Sequence, residues 1–357
     1  MAEAGGVAIR GRYLTLAGRR LFLREAAPTA AAQAHLVLLH GWVGTSSWMF
    51  RHVLPELGRH FHTYAPDLPG FGRSQPLPRR PTVDDYIQHL RSLLDALGID
   101  RCHLVGASVG GTFALAFASR YPERVGRLVL VGPVYRGADL PRRFHLVFQL
   151  VDWPGLVDLI PKAPIKWWVV VRRLDMARDT RHLSPEDRRL MARDVMRVPN
   201  QTLVNVARQL LRLDLTPEAR RVCCPTLVLD GEDARMVPAR SSLRLASIIP
   251  GATCRIVPDC GHNLLLERPD AFLELAPPSL RESPVVKLRG LRVKIGTTLW
   301  EGAAYERRPP VRPACPGAAW SCGRILWQAA GRPGRRCHQG RAARGRPLAP
   351  SAPLFSR

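Results

Sequence analysis

The stretch Cys102-His103-Leu104-Val105-Gly106-Ala107-Ser108-Val109-Gly110-Gly111 decides the fold. An apolar run of strand length, Cys102 to Val105, meets a G-x-S-x-G pattern, and a small, apolar run follows at once from Thr112 to Ala118. This reads as a strand, a very tight turn and a helix. Ser108 stands at the apex, in strained backbone at the helix N-terminus. Gly106 and Gly110, two residues to either side, let strand and helix approach closely.

Outward from this turn the pattern alternates. His35 to Leu39 is a continuous apolar run, as a parallel strand buried on both faces requires, and it leads into His40-Gly41-Trp42-Val43-Gly44. Ser46-Ser47 can cap a helix through about Leu57. His62 to Ala65 reads as the next strand, followed by the turn-rich Asp67-Leu68-Pro69-Gly70-Phe71-Gly72-Arg73-Ser74. Pro81 to Leu97 has helical periodicity, and Val125 to Gly132 supplies a further strand. Tyr13 to Leu16 and Leu21 to Leu23 flank Ala17-Gly18 and suggest an early hairpin. Strands joined by helices through short links are the signature of a parallel α/β sheet.

From Tyr135 to about Arg221 the strand runs stop. Phe144–Leu150, Ile165–Arg173, Ser184–Met196 and Gln201–Leu213 all look helical, so 135–221 is expected to be an all-α cap inserted into a core formed by 1–134 and 222–285. The alternation resumes at Pro225 to Asp230 (strand), Pro238 to Ile248 (helix) and Ala252 to Val257 (strand). After Cys260-Gly261-His262 comes a helix around Pro269 to Leu275, which Pro277-Pro278 is expected to break.

The chain has 357 residues and a formal net charge of +24. From Val285 onward there are roughly fifteen Lys or Arg against two Glu, in text dominated by Pro, Gly and Arg with no period of 2 or 3.6. Residues 286–357 are expected to form a disordered basic tail, a solvated appendage with at most weak nucleic-acid or anionic-lipid binding. No C-x-x-C pair occurs among the 8 cysteines, no run of apolar residues reaches membrane-spanning length, and Met1 to Arg12 lacks an apolar leader core. A reduced, cytoplasmic protein with buried thiols is expected, and nothing in the pattern calls for a metal or cofactor.

Four motifs in order resemble the α/β-hydrolase fold family with a helical cap. They are His40-Gly41 after a strand, Asp67-x-Pro69-Gly70-x-Gly72-x-Ser74, Gly106-x-Ser108-x-Gly110, and Gly261-His262 after the last strand. A serine hydroxyl is a weak nucleophile at neutral pH and needs a neighbouring base, and an imidazole can take its proton and return it to a leaving group. Ser108 is the candidate nucleophile and His262 the candidate base. The resemblance implies an oxyanion hole made by the backbone N–H groups of Val109 and Trp42. It also implies an acid in a G-x-x-D-x-x-V-P turn, but here Gly231-Glu232-Asp233-Ala234-Arg235-Met236-Val237-Pro238 puts Ala234 at that position. Asp233, one residue early, is the first candidate. A Ser–His dyad and another carboxylate remain open, although the strand ending Val131-Gly132-Pro133 is followed by no carboxylate before Asp139. Asp67 reads as a turn residue, and a serine at the apex argues against chemistry that uses an aspartate there.

Three functions follow as expectations. The first is hydrolysis of a carboxylic ester through an acyl-enzyme, with an apolar acyl pocket under cap residues such as Phe144, Trp153, Trp167 and Trp168. The second is hydrolysis of a carbon–carbon bond in a diketone. The third is a non-catalytic binding protein that keeps the fold, which Ala234 and the tail both suggest. The natural substrate and the oligomeric state are not encoded in any motif.

Overall fold

The computed structural model describes residues 3–4, 7–28, 34–78, 80–151 and 183–281, and of 3–4 and 147–151 the backbone alone. The expected helix at 165–173, the tryptophans at 153, 167 and 168, and the tail 286–357 lie outside the described residues.

The chain opens with β1 (Glu3–Ala4), β2 (Val7–Leu16) and β3 (Arg19–Ala27). Ala17 and Gly18, both at positive φ, make the tight turn between β2 and β3. β4 (His35–Leu39) leads through α1 (Ser46–Met49) and α2 (Leu54–His60) to β5 (His62–Pro66). The single helix expected from Ser46 to Leu57 is thus two short ones. Thr45, not Ser46, is the cap, and its hydroxyl accepts from the Ser47 N–H. Helix α3 (Val83–Ala96) starts on a capping box between Thr82 and Asp85.

β6 (Cys102–Ala107) runs into α4 (Val109–Arg120) through Ser108, and β7 (Val125–Val131) follows. Next comes the helical stretch: α5 (Arg142–Val151), α6 (Pro185–Arg197), α7 (Asn200–Arg212) and α8 (Thr216–Arg220). Ser184 caps α6, its side chain accepting from the Asp187 N–H. The last elements are β8 (Thr226–Gly231), α9 (Ala239–Ile248), β9 (Thr253–Val257), α10 (Leu264–Glu267) and α11 (Pro269–Leu280). Helix α11 runs through Pro277 and Pro278 instead of ending before them. Phe272, Ala276 and Leu280 bury one face of it at i, i+4 spacing, and that packing carries the helix past the prolines.

The sheet order is β1-β2-β3-β5-β4-β6-β7-β8-β9. β1, β2 and β3 pair antiparallel, and so do β3 and β5; from β5 to β9 every pairing is parallel. The chain winds outward from β4 in one direction to β5, then crosses back to β6 on its other side. The C-terminal ends of β4 and β6 therefore flank the switch point where open α/β sheets bind ligands. Strands β6 and β8 are buried along their whole length, which explains their unbroken apolar text. Among the described cysteines, Cys102, Cys224 and Cys260 are buried free thiols and Cys254 is a half-buried one, whereas Cys223 is exposed and disulfide-bonded, against the expectation of reduced, buried thiols throughout. No described helix is long and apolar enough to cross a membrane.

Candidate active site

Ser108 sits between β6 and α4 at φ 51°, ψ −115°, a conformation that costs a non-glycine residue of the order of 1–3 kcal/mol. Two glycines make the turn possible. A Cβ on Gly106 would stand 2.5 Å from the carbonyl oxygen of Gly110, and one on Gly110 would stand 2.1 Å from that of Leu39. Backbone bonds from Ser108 N–H to Val131 O (2.8 Å) and from Thr112 N–H to Ser108 O (3.1 Å) hold the strained residue.

The His262 Nε2 lies 3.1 Å from Ser108 Oγ. His262 follows β9 in a short loop that sequence reasoning left unsupported, and the support is Glu267. Its carboxylate accepts from the backbone N–H groups on both sides of the histidine, Gly261 (2.7 Å) and Asn263 (3.1 Å). The available sequence signal was a glutamate five residues after the histidine, at the end of the next helical turn. Burial alone holds the His262 imidazole down at about 4, and its Nδ1 is buried without a hydrogen-bond partner.

Asp233, the first acid candidate from the sequence, does not reach the imidazole Nδ1. Asp233 is exposed, its N–H donates to Cys260 O at 2.9 Å, and no hydrogen bond joins its carboxylate to the imidazole. Ala234 is buried in the same turn, its N–H bonded to Gly231 O. The physical reason is the closed turn after β8, which points position 234 inward and position 233 to solvent. Asp139 is committed elsewhere: its carboxylate takes Arg136 (2.7 Å), Arg244 (3.0 Å) and the Ser241 hydroxyl (2.9 Å). Asp230, at the end of β8, is almost wholly buried.

Trp42 and Val109 both line the cleft that opens on Ser108. Val109 is the first residue of α4, so its N–H belongs to the helix's uncommitted first turn, at the positive end of the dipole. The Trp42 indole donates to Leu203 O (2.9 Å) and meets Phe144 edge-on, tying the loop after β4 to α7 and α5. The same loop is pinned from below. Asp67 accepts from the Ser46 N–H (2.8 Å), the Ser46 hydroxyl (2.6 Å) and the Arg73 N–H (3.0 Å), the turn role its sequence suggested. The Thr45 hydroxyl donates to Asp194 of α6.

The cleft spans about 660 Å³ including its mouth. Its described lining is apolar, with Met49, Val134, Leu140, Phe144, Leu210 and Met236 among the walls; Ser108, His262 and Asn263 are the polar side chains. No described cluster of three or more His, Cys, Asp or Glu is arranged to hold a metal ion.

A strained serine beside a histidine, at the switch point of this sheet order, defines a hydrolase of the α/β class. The chain belongs to the α/β hydrolase fold family, whose model matches residues 34–269. It is 32% identical over 271 residues to the 2-hydroxy-6-oxo-6-phenylhexa-2,4-dienoate hydrolase of Burkholderia cepacia, covering 73% of this chain and 91% of that protein. It is 34% identical over 244 residues to the 2-hydroxy-6-oxo-2,4-heptadienoate hydrolase of Pseudomonas putida, covering 67% and 86%. Among solved structures it is similar to a variant of the meta-cleavage product hydrolase CumD, with a TM-score of 0.53 and 25% identity over 74% of this chain and 96% of that one.

Proposed function

We propose that this protein hydrolyses a carbon–carbon bond next to a ketone, in a substrate of the 2-hydroxy-6-oxo-dienoate type, with Ser108 as nucleophile and His262 as base. The observation that carries the reading is the 3.1 Å contact between His262 Nε2 and Ser108 Oγ, in a chain whose relatives are named for such dienoates. Those compounds contain no ester or amide, so water can divide them at the ketone only by breaking a carbon–carbon bond. Ester cleavage, the first expectation from sequence, moves to second place.

The chemistry suits the site. In the keto tautomer, the carbon beside the C6 ketone carries a leaving pair that delocalises over the adjoining enone. Ser108 Oγ attacks C6 and His262 takes its proton. The N–H groups of Trp42 and Val109 hold the oxyanion. The C5–C6 bond breaks, its electron pair goes to C5, and the imidazolium returns the proton there. The acyl group left on Ser108 is removed by water that His262 deprotonates, releasing a carboxylic acid.

An apolar ester is the second reading, because the described cleft walls offer an acyl group only apolar contact beyond the serine and histidine. Both substrates are assayed together: loss of the dienoate chromophore of 2-hydroxy-6-oxo-6-phenylhexa-2,4-dienoate against release of p-nitrophenol from short and medium acyl esters. The proposal expects a higher kcat/KM for the dienoate and a loss of at least 10³-fold in Ser108→Ala. Faster ester turnover promotes the second reading. Unchanged turnover in Ser108→Ala removes both.

A further inference from the structure

We propose that Asp230, from the C-terminal end of β8, is the relocated acid of this site and positions His262 through its Nδ1, across a gap kept open by the absent side chain of Gly132. This rests on the reading of Ser108 and His262 as nucleophile and base.

The geometry starts from Gly132, which follows β7 at φ +51°. A Cβ built there would stand 3.0 Å from His262 Nδ1 and 3.4 Å from Asp230 Oδ1. Carboxylate and imidazole thus face one common point, and it is vacant because residue 132 is glycine. Register brings them there: Val131 pairs with Leu229 across β7 and β8, and the Gly132 N–H donates to Leu229 O at 2.8 Å. The turn after β7 therefore lies directly beside the end of β8.

Asp230 is held by hydrogen bonds that suit a carboxylate acceptor. Oδ1 accepts from the Gly231 N–H (2.9 Å) and Oδ2 from the Ser242 hydroxyl of α9 (2.6 Å). Each oxygen of a carboxylate can accept a second bond. A group this buried needs a reason to be charged, and plain packing would be better served by an apolar residue.

The other carboxylates nearby are directed elsewhere. Asp139 is forked by two arginines, Glu267 holds the histidine loop by its backbone, and Asp233 faces solvent. The orphaned Nδ1 donor is the second observation. With Nε2 accepting from Ser108, Nδ1 carries the ring proton and no partner receives it. When His262 takes the serine proton, the imidazolium draws its Nδ1–H toward the nearest buried negative charge. A small rotation of either side chain into the space above Gly132 closes the contact. The shift of the acid from the turn to the strand end compensates for Ala234.

The test is a set of variants measured for kcat and for the pH profile of kcat/KM. Asp230→Asn keeps shape and removes charge. It is expected to lose on the order of 10³- to 10⁴-fold in kcat, as triads do when the acid is neutralised. Its acid limb is expected to move to lower pH than that of the parent, because the imidazolium loses the carboxylate that faces it. Adding Ala234→Asp to Asp230→Asn returns a carboxylate at the family's usual position. It is expected to recover at least tenfold in kcat and raise the acid limb again, which repair of a merely structural defect would not do. Asp230→Asn within threefold of the parent overturns the proposal, and so does a loss with no movement of the acid limb and no recovery from Ala234→Asp. A larger loss in Asp233→Asn than in Asp230→Asn overturns it in favour of the turn residue. Ser108→Ala separates the two levels: parent-like turnover there dismisses the serine mechanism itself, whatever Asp230 does.

Discussion

His262 approaches Ser108 from the far side of the sheet's C-terminal edge, 154 residues later in the chain, and sets its Nε2 3.1 Å from the serine hydroxyl. The two residues reach each other across β7 and β8, which lie between β6 and β9 in the sheet. The loop that carries the histidine is therefore as important as the histidine.

Glu267 is the part of that loop most exposed to test. Its two charge-assisted bonds to Gly261 and Asn263 fix the backbone on either side of the imidazole. Glu267→Gln is expected to lower kcat by roughly tenfold to a hundredfold with little change in KM, since misplacing a reacting group by about 1 Å costs on that order. An unchanged kcat would show that the loop is held by other contacts.

In the proposed reaction the cleft walls would select the acyl group. Leu140, Val134 and Phe144 crowd the side toward the helical stretch. Leu140→Trp is expected to raise KM for a 6-phenyl dienoate by at least tenfold and for the 6-methyl compound by less than threefold, because only the bulky acyl group needs that volume. Equal effects on both substrates would move the acyl subsite away from Leu140.

Stability carries its own pH signature. His89 of α3 is mostly buried, its Nε2 has no hydrogen-bond partner, and burial pushes it down to about 4 from an ordinary 6.5. The unfolded chain binds this proton at higher pH than the folded one does. Stability is therefore full above about pH 6.5, falls as pH drops from there toward 4, and loses roughly 2–3 kcal/mol in total from this group. Denaturant unfolding of His89→Gln across pH 4 to 7 is expected to show a shallower decline than the parent. Parallel curves would mean that His89 is not buried neutral.

Much of this was legible in the text of the chain because it is local. Gly106-x-Ser108-x-Gly110 between an apolar strand and a small-residue helix encodes its own turn, and the order of strands and helices from His35 to Leu280 encodes a parallel sheet. Helix ends were less legible. Thr45 took the cap from Ser46, and packing of Phe272, Ala276 and Leu280 carried α11 past two prolines. The surroundings of His262 were the least legible. Glu267 acts through backbone N–H groups, which no motif prints. Asp230 and the imidazole both border the site of the missing Gly132 Cβ, because β7 and β8 pair in a register that sets Gly132 beside the end of β8. Such a relation exists in the folded sheet and not along the sequence.

The central claim is that Ser108 is a nucleophile activated by His262. The most direct measurement is intact mass and peptide mapping after reaction with a fluorophosphonate. The account predicts one adduct, on Ser108, formed at least a hundredfold more slowly in His262→Gln, with dienoate turnover lost in step with labelling. Dienoate turnover that persists in fully labelled protein, or labelling at another residue with Ser108 unmodified, would contradict it.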